Sequence, residues 1–331
     1  MRLLPPETLG RLGRLGVLAR TLVEGKIAGR HKSPYKGISV EFAEHRLYCK
    51  GDDLRNLDWR IYGKVDRYYV KQYIEETNLR ATILVDASGS MGYAGSSAAP
   101  IDGRPASKLA YAQHLAAILA YLLIGQQDAV GLVTFDTQIR GYLPARNVSS
   151  QMRILLEMLH ATRAGAEGKR GQPPFAGTNL RSVPAQGVLR TNGDCPLFPI
   201  AGVLDVVAER IPRRGMVFIL SDLFDATEPL LRALHHFHYK KHDVIVLHVM
   251  ADEELTFPFD AWTNFRSLET AGVSVQLDPR SLRAVYLERV RSFLKSLETS
   301  CGKLRITYVP MNTKIPYTDA LAEFLSRRQG R

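Results

Sequence analysis

Residues 81–92 read Ala81-Thr82-Ile83-Leu84-Val85-Asp86-Ala87-Ser88-Gly89-Ser90-Met91-Gly92, and the fold class follows from how this stretch changes character half-way. Ala81 to Val85 are apolar or β-branched, with no polar break after Thr82. That is the composition of a strand buried on both faces, as in a parallel sheet. At Asp86 the run stops and small residues take over. One carboxylate and two hydroxyls at spacing two then stand just beyond the carboxyl end of a strand, where open α/β sheets bind ligands. Oxygen donors with neither nitrogen nor sulfur suit a hard cation such as Mg²⁺. The same residues also suit a plain turn in which Asp86 and Ser88 cap the next segment.

Working outward, the downstream sequence alternates apolar runs with helical periodicity. Helices are expected over 107–127, 149–161, 200–211, 230–240, 281–300 and 318–327, and strands over 128–135, 138–143, 216–220, 243–250, 264–268, 273–277 and 304–309. The Gly/Ser/Ala/Pro stretch 94–106 reads as a flexible loop. The helix over 107–127 is apolar around most of its circumference and reads as buried, with His114 a satisfied core or edge histidine. Helix 149–161 carries Met152, Leu155, Leu156 and Leu159 on one face. Strand–helix alternation of this kind predicts a doubly wound, mostly parallel sheet flanked by helices, with all the later strands extending it. The strand at 216–220 ends in Ser221-Asp222-Leu223-Phe224-Asp225, a second carboxylate at a strand's carboxyl end, with Asp225 suited to cap the helix before Pro229. His235, His236, His238 and His242 read as a solvated helix end rather than a metal cluster.

Upstream, residues 7–30 are expected to form an amphipathic helix with arginines between its leucines, a pattern that suits packing on its own domain and, secondarily, a membrane surface. Residues 38–48 are strand-compatible. Around Trp59 stands a dense alternation of signs, Asp52, Asp53, Arg55, Asp58, Arg60, Lys64, Asp66 and Arg67, which suits an internal network bracing a turn or, alternatively, a binding surface. Residues 1–77 are therefore expected to be a smaller amino-terminal portion and 78–331 one α/β domain.

Bulk properties narrow the function classes. Apolar content of 45% and charged content of 23% exclude wholesale disorder. Cys49, Cys195 and Cys301 are odd in number and far apart, which argues against a disulfide framework or a zinc site and for a reducing, cytoplasmic setting. No cleavable signal pattern opens the sequence, and the longest apolar candidate, 115–124, falls short of the ~18 residues a membrane span needs. The formal charge of +11 is spread along the chain and no nucleic-acid reader motif accompanies it, so nucleic acid is not expected as a partner. Gly168-Lys169 is followed by Arg170, so no phosphate-binding loop is present. A haloacid-dehalogenase type of phosphatase needs a carboxylate where Ser88 stands, and a serine hydrolase needs glycine at that same place before Ser90.

The Asp-x-Ser-x-Ser pattern at Asp86 resembles the metal-ion-dependent adhesion site of von Willebrand factor A domains. That resemblance implies Ser88 and Ser90 as direct ligands of Mg²⁺ (or another divalent ion such as Mn²⁺), Asp86 as an outer ligand, and a partner's acidic side chain completing the coordination. Ala176-Gly177-Thr178-Asn179-Leu180 is similar to the segment that supplies the family's threonine. Thr178 is the candidate, with Thr191 the alternative because residues 181–199 intervene before the next helix. Asp222 matches the family's second aspartate. Arg46-x-Tyr48, Gly51-Asp52-Asp53-x-Arg55 and Asp58-Trp59-Arg60, continuing through 69–76, resemble the signature of the domain-of-unknown-function 58 family, from which Cys49 departs. This resemblance implies a von Willebrand A-like, Rossmann-like sheet, a non-catalytic protein-interaction role, and partnership with a MoxR-type AAA ATPase. A Mg²⁺-dependent hydrolase and a basic membrane-surface or nucleic-acid binder are the competing classes.

Overall fold

The structure, a computed structural model, describes residues 42–49, 57–73, 79–165, 200–211, 214–225, 227–260, 262–266, 268 and 274–329. They belong to two compact units, one within residues 24–78 and one within 79–331. The helix expected over 7–30 lies outside the described residues.

In the smaller unit, β1 (Phe42–Leu47) leads to α1 (Trp59–Val65) and β2 (Tyr69–Tyr73). β1 and β2 pair antiparallel, with Leu47 opposite Tyr69. Asp58 starts α1: its Oδ1 accepts from the N–H groups of Arg60 (2.9 Å) and Ile61 (3.3 Å), satisfying two of the donors a helix start leaves open. Its Oδ2 meets His45 Nε2 at 3.0 Å, which ties the helix start to β1. Tyr62 and Tyr68 stack at 4.5 Å between ring centroids.

The larger unit begins with β3 (Arg80–Asp86) and a short hairpin, β4 (Pro100–Ile101) and β5 (Arg104–Pro105), before α2 (Lys108–Gly125). Then follow β6 (Ala129–Phe135), β7 (Ile139–Arg146), α3 (Gln151–Ala161), α4 (Ile200–Arg210), β8 (Met216–Ser221), α5 (Thr227–Tyr239) and β9 (Asp243–Met250). The last described part holds α6 (Asp252–Thr256), β10 (Thr263–Arg266), β11 (Ser274–Leu277), α7 (Pro279–Lys303), β12 (Thr307–Asn312) and α8 (Tyr317–Gln329). The central sheet has six strands in the order β12-β9-β8-β3-β6-β7. All neighbours are parallel except β7, which pairs antiparallel with β6 at one edge. β7 carries Pro144, which cannot donate to a ladder, and the register slips beside it, both features of an edge strand.

Period-two alternation sends each strand's side chains to two cores. Ile83, Val85, Phe218, Leu220, Ile245 and Leu247 face α2, α3 and α8; Leu84, Val133, Val217, Ile219 and Val246 face α4, α5 and α7. α2 starts at Ser107, whose Oγ accepts from Ala110 N–H, and is buried on almost every side. By length and composition it could cross a membrane, yet 78% of it lies inside the protein, as befits the central helix of the core. His114 within it is buried, its Nδ1 2.8 Å from Ala110 O.

Several sequence expectations need correction. β10 and β11 do not extend the main sheet but pair with each other as a separate ribbon, because β12 takes the edge next to β9. Residues 94–106 are not a loose loop. Ala94 bridges to Ser107, the β4–β5 hairpin folds within it, Ala99 N–H donates to Thr313 O, and Ser97 N–H and Ser96 Oγ donate to Glu253 Oε1 at 2.8 and 3.0 Å. Gly95 lies so close to Glu253 that an added Cβ would sit 1.9 Å from its Oε2. α6, too short for a periodic signal, went unanticipated.

Candidate functional site

The site follows from topology. After β3 the chain builds outward through β6 and β7, then returns to β3's other side for β8, β9 and β12. The crevice at the carboxyl ends of strands that diverge in this way is where open α/β sheets bind ligands. β3 and β8 are neighbours, with Val85 opposite Leu220, so the turns beginning at Asp86 and Ser221 emerge side by side.

Asp86 is fully buried and fixed by two donors. Ser88 N–H donates to its Oδ1 at 2.8 Å and Ser221 Oγ to its Oδ2 at 2.5 Å. Ser88 Oγ lies 3.1 Å from Ser90 Oγ, and the Ser90 hydroxyl hydrogen-bonds Asp222. Asp86, Ser88, Ser90 and Asp222 are thus brought together, while Thr178 and Thr191 lie outside the described residues. The chain following α3 closes on the same turn: Gly165 N–H donates to Ala87 O at 3.0 Å. Gly165 has φ +57°, and a Cβ there would come 3.2 Å from Gly89 Cα, so glycine meets both demands.

The charges are unevenly matched. Burial, reinforced by the charge of Asp222, pushes the Asp86 carboxyl up to about 7. Burial acts on Asp222 the same way. There, however, the Lys108 ammonium, its hydrogen bond, the Ser90 hydroxyl and the Phe224 N–H together hold the carboxyl below its ordinary range. Lys108 is only 2% exposed, and its Nζ donates to Asp222 Oδ2 at 2.8 Å and to Glu254 Oε1 at 2.6 Å. Burial disfavours its charge, but the two carboxylates more than offset this and raise it.

His248, also buried, completes the support. Its Nε2 lies 2.7 Å from the Asp222 carbonyl and its Nδ1 2.6 Å from Tyr308 Oη. A carbonyl only accepts, so Nε2 carries the proton and Nδ1 accepts from the tyrosine. Burial holds the ring neutral, down to about 4. Behind this stand three consecutive acids on α6, each holding a different element. Asp252 takes Asn312 (2.9 Å) and Lys314 (3.2 Å), Glu253 takes the 94–106 segment, and Glu254 takes Lys108 while its Oε2 accepts from Ala251 N–H (2.8 Å).

The donor set fits a hard divalent cation: it consists of carboxylate and hydroxyl oxygens, and one carboxylate is short of compensating positive charge. Among the described residues no three His, Cys, Asp or Glu side chains gather to hold a metal, so any ion here depends on the hydroxyls. Ser221, Lys108, His248 and Glu254 escaped the sequence reading. Lys108 carried a usable signal, as the charged opening of an otherwise apolar helix.

Other candidates fall differently. Of the amino-terminal signature, Arg46 and Tyr48 sit on or just after β1, Asp58 caps α1, and Trp59 and Arg60 are exposed, so the described charges do not enclose Trp59. Gly51, Asp52, Asp53 and Arg55 lie outside the described residues. Asp225 accepts from Ala201 N–H at 3.1 Å, at the start of α4. The histidines at the end of α5 and in the turn after it are not one solvated end: His236 lies between Asp205 (3.2 Å) and Glu209 (2.9 Å), and His242, beyond the helix, is buried.

The family model described as "Protein of unknown function DUF58" matches residues 44–293. This chain belongs to that family. An uncharacterized protein of Mycobacterium bovis and its counterpart in Mycobacterium tuberculosis are each 23% identical to it over 255 residues, covering 76% of this chain and 68% of theirs. Among solved structures, the conserved hypothetical protein BatB from Bacteroides thetaiotaomicron is 15% identical, with 76% of this chain and 100% of that one covered at a TM-score of 0.43. An aerotolerance-related membrane protein from Bacteroides fragilis is 15% identical, with 75% and 99% covered at a TM-score of 0.41.

Proposed function

We propose that this DUF58 chain is a non-catalytic interaction module, von Willebrand A-like, in which Asp86, Ser88, Ser90 and Asp222, with Thr178 as a further donor, hold Mg²⁺ or Mn²⁺ for capture of an acidic side chain on a protein partner. The observation that carries this reading is the meeting of two buried carboxylates and two hydroxyls, from separate turns, at the point where strand order reverses. When bound, the ion supplies a positive anchor for a carboxylate. The protein's share is orientation. Ser88 N–H and Ser221 Oγ hold the Asp86 carboxylate by both oxygens, and the neutral serine hydroxyls donate electron pairs without cancelling the ion's charge. The family resemblance points to a MoxR-type AAA ATPase as the partner, and the cysteine usage to a cytoplasmic setting.

The test is co-purification of the full chain with a MoxR-type ATPase in Mg²⁺ and in EDTA. Binding should require the ion and be lost in Asp86→Ala and in Ser88→Ala/Ser90→Ala. Binding indifferent to chelator and to these substitutions refutes the reading. Asp86-dependent turnover of phosphoesters would put the hydrolase in its place. Salt-sensitive, chelator-insensitive binding to anionic vesicles or DNA would favour the basic-surface class.

A further inference from the structure

We infer that Lys108, held in place by Glu254, is the site's built-in counter-ion: it occupies part of the electrostatic role of a divalent cation and so sets how tightly that cation binds. The inference rests on the functional reading above. Its ground is geometric. A lysine ammonium that is 2% exposed carries a large desolvation cost and is retained only if paired, and here both partners are carboxylates, one of them in the candidate site. The start of α2 does not require this lysine, since Ser107 caps it, and the other buried polar side chains of the helix have partners of their own: Gln113 donates to Leu159 O and Thr162 O, and His114 Nδ1 meets Ala110 O. Glu254 is in turn immobilised by Ala251 N–H, so the ammonium is drawn toward α6 as well as toward Asp222.

The net charge of the group Asp86, Asp222, Glu254 and Lys108 is therefore adjusted by Lys108 and Glu254, neither of which belongs to the proposed donor set. Removing the ammonium leaves the carboxylates short of positive charge and raises their attraction for a divalent ion. Removing the Glu254 charge does the reverse. The consequence for function is a site that releases its ion readily: the ion competes with a resident cation, and an incoming partner carboxylate adds to its side of that competition.

Isothermal titration of the purified full chain with Mn²⁺ tests this. Lys108→Met should bind Mn²⁺ at least tenfold more tightly than the parent, equivalent to ~1.4 kcal/mol. Glu254→Gln should bind it several-fold more weakly, and the double variant, in which the two charge changes cancel, should return to within about threefold of the parent. A purely structural role for Lys108 gives the opposite sign, a loosened site with weaker binding. If Lys108→Met folds only with Mn²⁺ present, as read by thermal unfolding with and without the ion, the inference is supported, since the ion then replaces the ammonium. If the parent binds Mn²⁺ in an Asp86-dependent way but Lys108→Met is no tighter or Glu254→Gln no weaker, the inference fails alone. If neither the parent nor Lys108→Met binds, both it and the functional reading fall.

Discussion

Asp128 offers a stability experiment whose sign is fixed by the structure. It sits in the turn between α2 and β6, 5% exposed, and its Oδ1 accepts from Leu79 N–H at 3.1 Å, which holds the entry to β3. Among the described residues Oδ2 has no hydrogen-bond partner. Burial raises this carboxyl from 3.8 to about 6, against the weaker opposing pull of the Leu79 N–H. Between those two values the folded protein holds a proton that the unfolded chain has released, so stability falls as pH rises through the window and stays low above it. The full rise corresponds to at most ~3 kcal/mol, and solvent near this turn reduces that to ~1–2 kcal/mol. Asp128→Asn keeps the acceptor for Leu79 and cannot ionise, at the cost of an unpartnered amide donor worth ~1 kcal/mol. Urea unfolding of both proteins at intervals from pH 4 to pH 8 isolates the effect, because every other titrating group cancels in the difference. The variant should be the less stable one near pH 4 and should gain on the parent by ~1–2 kcal/mol by pH 8. A difference that stays flat across the range, or moves the other way, refutes the reasoning.

His248→Phe fills the same space but strands the Asp222 carbonyl and the Tyr308 hydroxyl. A loss of ~2–4 kcal/mol is expected in urea unfolding at pH 7.5, and a loss below ~1 kcal/mol would count against the bridge. Gly95→Ala drives a methyl into the Glu253 carboxylate and should cost ~1–3 kcal/mol, read as a drop in Tm. Gln151→Leu removes the buried amide that donates to Val130 O (2.6 Å) and Pro144 O (3.0 Å), and ~2 kcal/mol should be lost. The accompanying hydrogen-exchange signature is faster exchange confined to the β6–β7 edge.

The main sheet was legible because its strands are short continuous apolar runs ending in polar turns. Residues 81–85 and 216–220 announced both their burial and their carboxyl ends, and the helices between them carried clear periodicity. Pairing order was less accessible: nothing local to β10 and β11 distinguishes a strand that joins a sheet from one that pairs with a neighbouring ribbon. The 94–106 segment misled for a related reason. Small residues that suggest mobility in isolation are, at Gly95 and Ala98, what lets the chain pack closely. In the site, Asp86, Ser88, Ser90 and Asp222 could be named because their pattern is contiguous or sits at a strand end. Ser221, Lys108, His248 and Glu254 act across long sequence separations and only the fold brings them together. Asp222 and Lys108, for instance, are 114 residues apart.

One turn of chain has an outsized hold on all of this. Asp252, Glu253 and Glu254 each point to a different neighbour from a helix five residues long. Inserting or deleting a single residue there would swing every following side chain by ~100° about the axis, so the three grips would slip together rather than one at a time. Length at this point should therefore be far less negotiable than residue identity on the surrounding surface, much as one miscut tooth stops a whole gear.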